Sequence, residues 1–115
     1  MESNTEAVSP SEPIEIDAES DLASSVSKYD VVLVDFYADW CGPCKMMEPA
    51  VQAVANDTDA AIVKVDVDRF QNLAAQYGVQ GIPTSVLFAG GEPVERMVGM
   101  QTEDRLTDVI ASHSN

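Results

Sequence analysis

The sequence predicts an α/β fold, a three-layer α/β/α sandwich around a central mixed β-sheet. Two observations predict it. Short apolar segments alternate with segments of helical periodicity through most of the chain, which is typical of parallel βαβ units. Near the C-terminus, Gly90-Gly91 separates two further strand-like segments, which predicts an antiparallel hairpin before a last helix. The length of 115 residues suits one domain with one hydrophobic core.

Residues 1–12 are rich in serine, glutamate and proline and contain few apolar side chains. We therefore expect a disordered acidic N-terminal tail, followed by a single domain at residues 13–115. The domain opens with an alternating segment at residues 13–17, which predicts a short strand at a sheet edge. Leu22 and Val26 then recur at helical spacing, which predicts a first helix.

The next segment, residues 31–37, is almost continuously apolar, which indicates a central strand covered on both faces. A second helix is expected at residues 46–56, with a kink at Pro49, because proline removes a backbone hydrogen bond. Residues 61–67 alternate valine with other side chains and predict a third strand. Apolar residues at helical spacing predict a third helix at residues 70–77.

The C-terminal elements follow from turn and cap signals. Gly78 is expected to end the third helix, because glycine readily adopts the positive φ of a helix C-cap. Strands at residues 85–89 and 93–98 flank the diglycine turn, and the proline that opens the second strand marks it as an edge strand. Thr102 is expected to cap the last helix through its hydroxyl group.

The composition is strongly acidic, with 20 Asp and Glu against 6 Lys and Arg and a formal net charge of −14. Such a charge repels nucleic acid and anionic lipid, so neither nucleic acid nor a membrane is expected as a partner. It also destabilises the compact state unless salt screens it. We expect adaptation to a high-salt cytoplasm, as in haloarchaea. An ordinary acidic protein is the alternative.

Targeting signals are absent from the pattern of the chain. Met1-Glu2-Ser3-Asn4 shows neither the basic segment nor the apolar segment of a signal peptide, and no apolar run is long enough to span a membrane. The two cysteines are too few and too close together to form a disulfide framework. We therefore expect a cytoplasmic protein.

Both cysteines lie in Trp40-Cys41-Gly42-Pro43-Cys44-Lys45, where the central strand passes into a helix. Cys-x-x-Cys beside a βαβ pattern is a known arrangement of redox-active dithiols. Pro43 suits the first turn of a helix, which puts Cys41 near the N-cap, where unpaired N–H groups and the helix dipole favour the thiolate. Cys44 lies one turn inside the helix and is expected to be covered. We therefore expect Cys41 to be the exposed nucleophile and Cys44 the resolving thiol.

Three other interpretations of the cysteines fit the sequence less well. A zinc site needs two further ligands, and His113 is the only other candidate. A covalent haem site needs histidine where the chain has Lys45. A structural disulfide that closes so short a loop removes little chain entropy. Because neither a metal-ligand set nor a phosphate-binding glycine loop is present, we expect no metal and no cofactor.

Asp35 is the charged residue of the central strand. Burial there disfavours the carboxylate and raises its pKa, so the group could hold or accept a proton near neutrality. A structural aspartate that bonds to the backbone is the alternative.

Residues 34–45, Val-Asp-Phe-Tyr-Ala-Asp-Trp-Cys-Gly-Pro-Cys-Lys, resemble the active-site segment of the thioredoxin family. Further matches occur in the family's order, so that the resemblance covers roughly residues 14–112. These matches are Pro49, Lys64, Tyr77-Gly78-Val79, Gly81-Ile82-Pro83-Thr84 and Gly99. The resemblance implies a thioredoxin fold and a dithiol–disulfide oxidoreductase that reduces disulfides in other proteins through a mixed disulfide.

The resemblance also implies roles for individual residues. Cys41 attacks the substrate disulfide, and Cys44 resolves the mixed disulfide. Asp35 is buried behind the second cysteine and relays its proton. The Gly42-Pro43 pair tunes the redox chemistry, and Lys64 approaches the aspartate. A surface lysine is the alternative for Lys64.

A shallow substrate groove beside the dithiol is likewise implied, in which backbone at Ile82 can pair with an extended peptide. Its lining residues are Trp40, Gly81, Ile82, Pro83 and Gly99. The resemblance implies a cis bond before Pro83.

The implied partners are disulfide-containing substrate proteins and thioredoxin reductase, and a monomer is expected. The sequence departs from the family at Tyr37, where tryptophan is common, which leaves the fine tuning of the redox potential open.

Two other functions are alternatives on the same fold. One is an oxidase or isomerase, against which the glycine–proline pair between the cysteines and the expected cytoplasmic location argue. The other is a binding subunit or holdase that uses the groove without redox chemistry. Such a protein would have no need of both cysteines together with Asp35 and Pro83.

Overall fold

The structure, a computed structural model, describes residues 10–114. Residues 10–13 belong to no helix or strand. Residues 1–9, which make up most of the expected disordered tail, lie outside the described residues. The division between tail and domain therefore stays a prediction.

The predicted elements are confirmed within residues 10–114, with ends that differ by a few residues. The strands are β1 (Ile14–Glu15), β2 (Val31–Tyr37), β3 (Ala61–Asp66), β4 (Thr84–Ala89) and β5 (Glu92–Val98). The helices are α1 (Ser20–Lys28), α2 (Gly42–Asp57), α3 (Gln71–Gln76) and α4 (Glu103–Ser112). The largest difference is at α2, which begins at Gly42 and not at residue 46, as the expected positions of Cys41 near the N-cap and Cys44 one turn inside the helix already required.

The strands form one mixed sheet in the order β1-β3-β2-β4-β5. Strands β1 and β2 are parallel to β3, whereas β4 is antiparallel to both β2 and β5. The apolar strand β2 is central, as predicted, and both β1 and the proline-containing β5 are edges. The register places Asp35 of β2 opposite Lys64 of β3 on one side and Ser85 of β4 on the other.

Each face of the sheet is covered by two helices. On one face, Val34 of β2 belongs to an apolar cluster with side chains of α1 and α3. On the other face, Leu33 belongs to a cluster with side chains of α2 and α4. Because side chains alternate along a strand, Asp35 shares the face of Leu33 and lies on the α2 side. The two helical layers confirm the three-layer sandwich.

The predicted turn and cap signals are present. Gly90 and Gly91 have φ values of +60° and +85°, which suit the tight hairpin turn between β4 and β5. Gly78, with φ of +65°, follows the end of α3. The Thr102 hydroxyl accepts the N–H of Arg105 at 3.1 Å and caps α4. No helix in the described part of the chain is long and apolar enough to cross a membrane.

Candidate active site

The dithiol lies where the central strand meets α2. Strand β2 ends at Tyr37, and Cys41 is the N-cap residue of α2, as predicted. Gly42 is the first helical residue and Pro43 the second, one position later than predicted. Proline is accepted there because the N–H groups of the first turn have no partner inside the helix.

Cys41 and Cys44 form a disulfide, with their Cα atoms 5.3 Å apart. The two residues are almost equally buried, with exposed fractions of 4% and 5%. The expectation that Cys41 is the more exposed is therefore wrong for the disulfide form. The bond holds both sulfurs in one cluster with Ala38, against which Tyr37 and Ile82 pack.

The hydrogen bonds at the helix N-terminus distinguish the two cysteines instead. The Cys41 Sγ atom accepts the backbone N–H of Cys44 at 3.1 Å. An N–H group of the first helical turn is therefore directed at the first sulfur, and the positive end of the helix dipole adds to its effect. A group at this position, at the N-terminus of a helix, is in an environment that favours negative charge.

A strip of backbone lies beside the first cysteine. The carbonyl oxygen of Ile82 is 3.9 Å from the Cys41 Sγ atom. The bond between Ile82 and Pro83 is cis, as predicted. The backbone N–H of Gly99 donates to the carbonyl oxygen of Pro83 at 2.8 Å, which ties this loop to the end of β5. The structure thus brings together residues that lie far apart in the sequence.

Trp40 and Gly81 complete the predicted groove residues. Trp40 is 70% exposed, and its Nε1–H donates to the Asp68 carboxylate at 2.8 Å, which fixes the ring at the surface. The carbonyl oxygen of Gly81 accepts the hydroxyl of Thr84. Among the other exposed large apolar residues, three lie within two positions of Cys44 or Gly99 in the sequence and were missed by the sequence reasoning: Met46, Val98 and Met100. Their proximity in sequence to Cys44 or Gly99 was a usable signal.

Asp35 is 4% exposed, and its Oδ1 atom has no hydrogen-bond partner among residues 10–114. Burial raises its pKa from 3.8 to about 7, and Lys64 opposes that rise. The carboxylates of Glu48 and Glu15 raise the pKa further. In the alternative of a structural aspartate, the carboxylate bonds to the backbone, and Oδ1 makes no such bond to residues 10–114.

Lys64 is 9% exposed, so the surface alternative for this lysine is wrong. Its ammonium group pairs with the carboxylate of Glu48 and lies 4.2 Å from the centre of the Tyr37 ring. Glu48 was missed by the sequence reasoning. The signal was its position four residues after Cys44, since residues at this spacing share one face of a helix.

Tyr37, the departure from the family pattern, is held by its hydroxyl group, which donates to the carboxylate of Glu15. Burial raises the pKa of Tyr37 well above its ordinary value, and the hydrogen bond to Glu15 adds to the rise. The ring also packs against the cluster that contains both cysteines. The residue therefore joins the edge strand β1 to the dithiol.

Metal-ligating side chains do not converge in the described part of the chain. It contains no group of three or more His, Cys, Asp or Glu residues that could hold a metal ion. His113, considered as a zinc ligand from the sequence, is instead the C-cap residue of α4. Its Nε2 atom lies 3.4 Å from the carboxylate of Glu95 on β5.

Comparisons with known proteins agree with this site. The thioredoxin family matches residues 13–112 of the chain. A thioredoxin from Staphylococcus epidermidis is 45% identical over 97 residues, which cover 83% of this chain and 92% of the relative. A thioredoxin from Chlamydia muridarum is 42% identical over 101 residues, which cover 87% of this chain and 98% of that one.

Solved structures agree with both the fold and the family. A point mutant of a thioredoxin from Halobacterium salinarum NRC-1 superposes with a TM-score of 0.90 at 54% identity, over 95% of this chain and 96% of that one. A thioredoxin from Schistosoma mansoni gives a TM-score of 0.84 at 35% identity, over 92% and 99% of the two chains. With a Cys-x-x-Cys pair at disulfide distance at the start of α2, the chain belongs to the thioredoxin family of thiol–disulfide oxidoreductases.

Proposed function

We propose that this protein reduces disulfide bonds in other proteins, with Cys41 as the attacking thiol and Cys44 as the resolving thiol. The observation that carries the assignment is the hydrogen bond from the Cys44 N–H to the Cys41 sulfur at the start of α2. It favours thiolate at Cys41, and thiolate is the attacking species in thiol–disulfide exchange. The Gly42-Pro43 pair supports the assignment by setting the first turn of the helix.

The reaction consists of two exchange steps. The Cys41 thiolate attacks one sulfur of the substrate disulfide, so that a Cys41–substrate bond forms and the second substrate sulfur leaves as a thiolate that takes up a proton. The Cys44 thiolate then attacks the Cys41 sulfur. The Cys41–Cys44 disulfide forms, the mixed disulfide breaks, and the first substrate sulfur leaves. Two electrons pass from the protein to the substrate.

In this reaction Asp35 accepts the proton of Cys44. Its burial and its pKa of about 7 support the role, because such a carboxyl group can exchange a proton near neutral pH. Its position on the α2 face of the sheet also supports it, since α2 carries Cys44. Lys64 moderates the pKa of Asp35 from the neighbouring strand.

The substrate binds in an extended conformation beside the dithiol. Trp40, Gly81, Ile82, Pro83 and Gly99 form this groove. The 3.9 Å distance between the Cys41 sulfur and the Ile82 carbonyl oxygen supports the proposal, because a peptide that pairs with the Ile82 backbone brings its own cysteine to Cys41. The exposed ring of Trp40 supplies apolar contact area at the same place.

The proposed setting is the cytoplasm, where thioredoxin reductase returns the disulfide to the dithiol and the protein acts as a monomer. The net charge of −14 favours protein partners over nucleic acid and membranes. The same charge, with the similarity to the Halobacterium salinarum thioredoxin, supports a high-salt cytoplasm. The division into a tail at residues 1–12 and a domain at residues 13–115 belongs to this proposal.

Trapping of the mixed disulfide tests the assignment. The Cys44→Ser variant, incubated with a disulfide-containing protein, should accumulate a covalent complex that dithiothreitol releases. The matched Cys41→Ser variant should form little of it. Complex formation mainly through Cys44 would reverse the two roles. Catalysis of disulfide formation, with no net reduction of an oxidised protein by the dithiol form, would favour an oxidase.

A further inference from the structure

Two buried side-chain oxygens have no hydrogen-bond partner among residues 10–114. They are Oδ1 of Asp35 and Oγ of Ser85. Ser85 is fully buried, at 0% exposed, and Asp35 is 4% exposed. An unpaired buried polar atom is costly, and two of them in one small core call for a physical reason.

The two residues are direct neighbours. Asp35 of β2 and Ser85 of β4 are paired Cα partners in the antiparallel ladder. Side chains of such a pair project from the same face, with Cβ atoms about 4.5–5.5 Å apart. At this separation, a rotation about χ1 of Ser85 can direct its hydroxyl group at the Asp35 carboxylate.

Ser85 is the neutral hydroxyl donor among the groups that surround Asp35. Lys64 on β3 is paired with Glu48 of α2. Glu15 on β1 and Glu48 carry negative charge and cannot donate to a carboxylate. On β5 the residue opposite Ser85 is Met97, which has no N–H or O–H in its side chain. Cys44 on α2 is held in the disulfide.

We propose that Ser85 is a positioning residue for Asp35: its hydroxyl donates a hydrogen bond to the ionised carboxylate and thereby sets the pH at which Asp35 can accept the proton of Cys44. This inference rests on the role of Asp35 given above. An ionised carboxylate is a stronger acceptor than a protonated one, so the bond forms as Asp35 loses its proton and weakens as Asp35 regains it.

Removal of the Ser85 hydroxyl group is expected to raise the pKa of Asp35. In Ser85→Ala the carboxylate loses a donor, while its burial and the charges of Lys64, Glu48 and Glu15 stay in place. The Asp35 pKa should rise by about one unit. Resolution of the mixed disulfide should then be slower at and below neutral pH, by at most the roughly tenfold that one pKa unit corresponds to, and unchanged above about pH 9, where the carboxyl group is ionised in both proteins.

The test measures the Asp35 carboxyl group directly, by ¹³C NMR titration of the full chain in its disulfide and dithiol forms. Ser85→Ala should titrate at higher pH, and Ser85→Thr, which restores a hydroxyl group, should return the pKa towards the parent value. Ser25→Ala is the matched control, because this buried serine lies on α1, which covers the opposite face of the sheet. It should leave the titration unchanged.

Each outcome is decisive. An unchanged or lowered Asp35 pKa in a folded Ser85→Ala protein would overturn the proposal, and so would a change in thermal midpoint with no shift in titration. If Ser85→Ala does not fold, Ser85→Thr decides the question. This variant keeps a hydroxyl group, so an Asp35 pKa raised in it by about one unit would also overturn the proposal. A shift in the carboxyl titration, combined with normal resolution by Asp35→Asn, would refute the proton-acceptor role while leaving the Ser85–Asp35 hydrogen bond intact.

Discussion

Lys64 is the Cα partner of Asp35 across β2 and β3, yet its ammonium group pairs with the Glu48 carboxylate of α2. The lysine also lies over the Tyr37 ring. Because its charge is shared in this way, it offsets only part of the effect of burial on Asp35, whose pKa stays at about 7. Burial is therefore the main cause of the raised Asp35 pKa, and the charges of Lys64 and Glu48 adjust it in opposite directions.

Replacement of Glu48 should lower the Asp35 pKa. Glu48→Gln removes a negative charge that raises this pKa and leaves Lys64 free to stabilise the carboxylate. We expect the pKa to fall by roughly half a unit to one unit. The pH profile of mixed-disulfide resolution should move to lower pH by the same amount. Glu103→Gln, an exposed change on α4, is the control and should leave both quantities unchanged.

Replacement of Asp35 should separate its chemical role from its effect on stability. A carboxyl group whose pKa is raised on folding binds more protons in the folded state, so the free energy of unfolding falls as pH rises from about 4 to about 7. Asp35→Asn lacks this titration. It should resolve the mixed disulfide more slowly near neutral pH and be more stable above pH 7, on the order of 1–3 kcal/mol.

Denaturant unfolding of the parent protein and Asp35→Asn between pH 4 and pH 8 measures the stability effect. The two free energies of unfolding should lie close together at pH 4 and diverge as the pH rises. Asp108→Asn, on the exposed side of α4, should not reproduce the divergence. A less stable Asp35→Asn protein with normal resolution would mean that the aspartate is structural.

The thiols of the reduced protein should differ in reactivity although their exposure in the disulfide form is nearly equal. The Cys44 N–H faces the Cys41 sulfur, so Cys41 should carry the larger thiolate fraction at pH 7. We expect iodoacetamide to modify Cys41 roughly tenfold faster or more. Peptide mapping after short exposure identifies the modified residue, and unfolding in guanidinium should abolish most of the difference. Faster modification of Cys44 in the folded protein would contradict the assignment.

Local sequence signals predicted most of the fold. The turn at Gly90-Gly91, the Thr102 cap and the apolar strand β2 each depend on neighbouring residues alone, and each is confirmed. The position of Cys41 at the start of α2 was predictable for the same reason, because Pro43 marks the first helical turn.

The charged surroundings of the dithiol were not predictable in this way. Whether Lys64 is buried or at the surface depends on how α2 packs over β3, since the lysine meets Glu48 across that contact. The hydrogen bond between Tyr37 and Glu15 depends likewise on the pairing of β1 with β3. These contacts join residues that no local pattern relates, so a single sequence leaves them open.

The last prediction concerns salt, because few of the acidic side chains can be neutralised by close partners. The chain has 6 basic residues against 20 acidic ones. Among the described residues, Lys64 and Arg69 pair with carboxylates, whereas the Arg96 guanidinium group donates to backbone carbonyl oxygens. The long-range electrostatic free energy of the folded state should therefore be repulsive, and unfolding relieves it by separating the charges.

The Debye length falls from about 30 Å at 0.01 M to about 3 Å at 1 M ionic strength, so screening should be almost complete at the higher value. We expect the thermal midpoint to climb steeply from low salt to about 1 M KCl and to flatten above it. KCl is preferred because sulfate strengthens apolar burial in any protein.

A variant with three exposed carboxylates replaced, Asp57→Asn, Glu92→Gln and Asp108→Asn, should show a shallower climb of the thermal midpoint. A midpoint that does not respond to KCl would refute the salt adaptation and leave the redox chemistry untouched. A midpoint that still climbs well above 1 M would assign the effect to specific ion binding or hydration in place of screening.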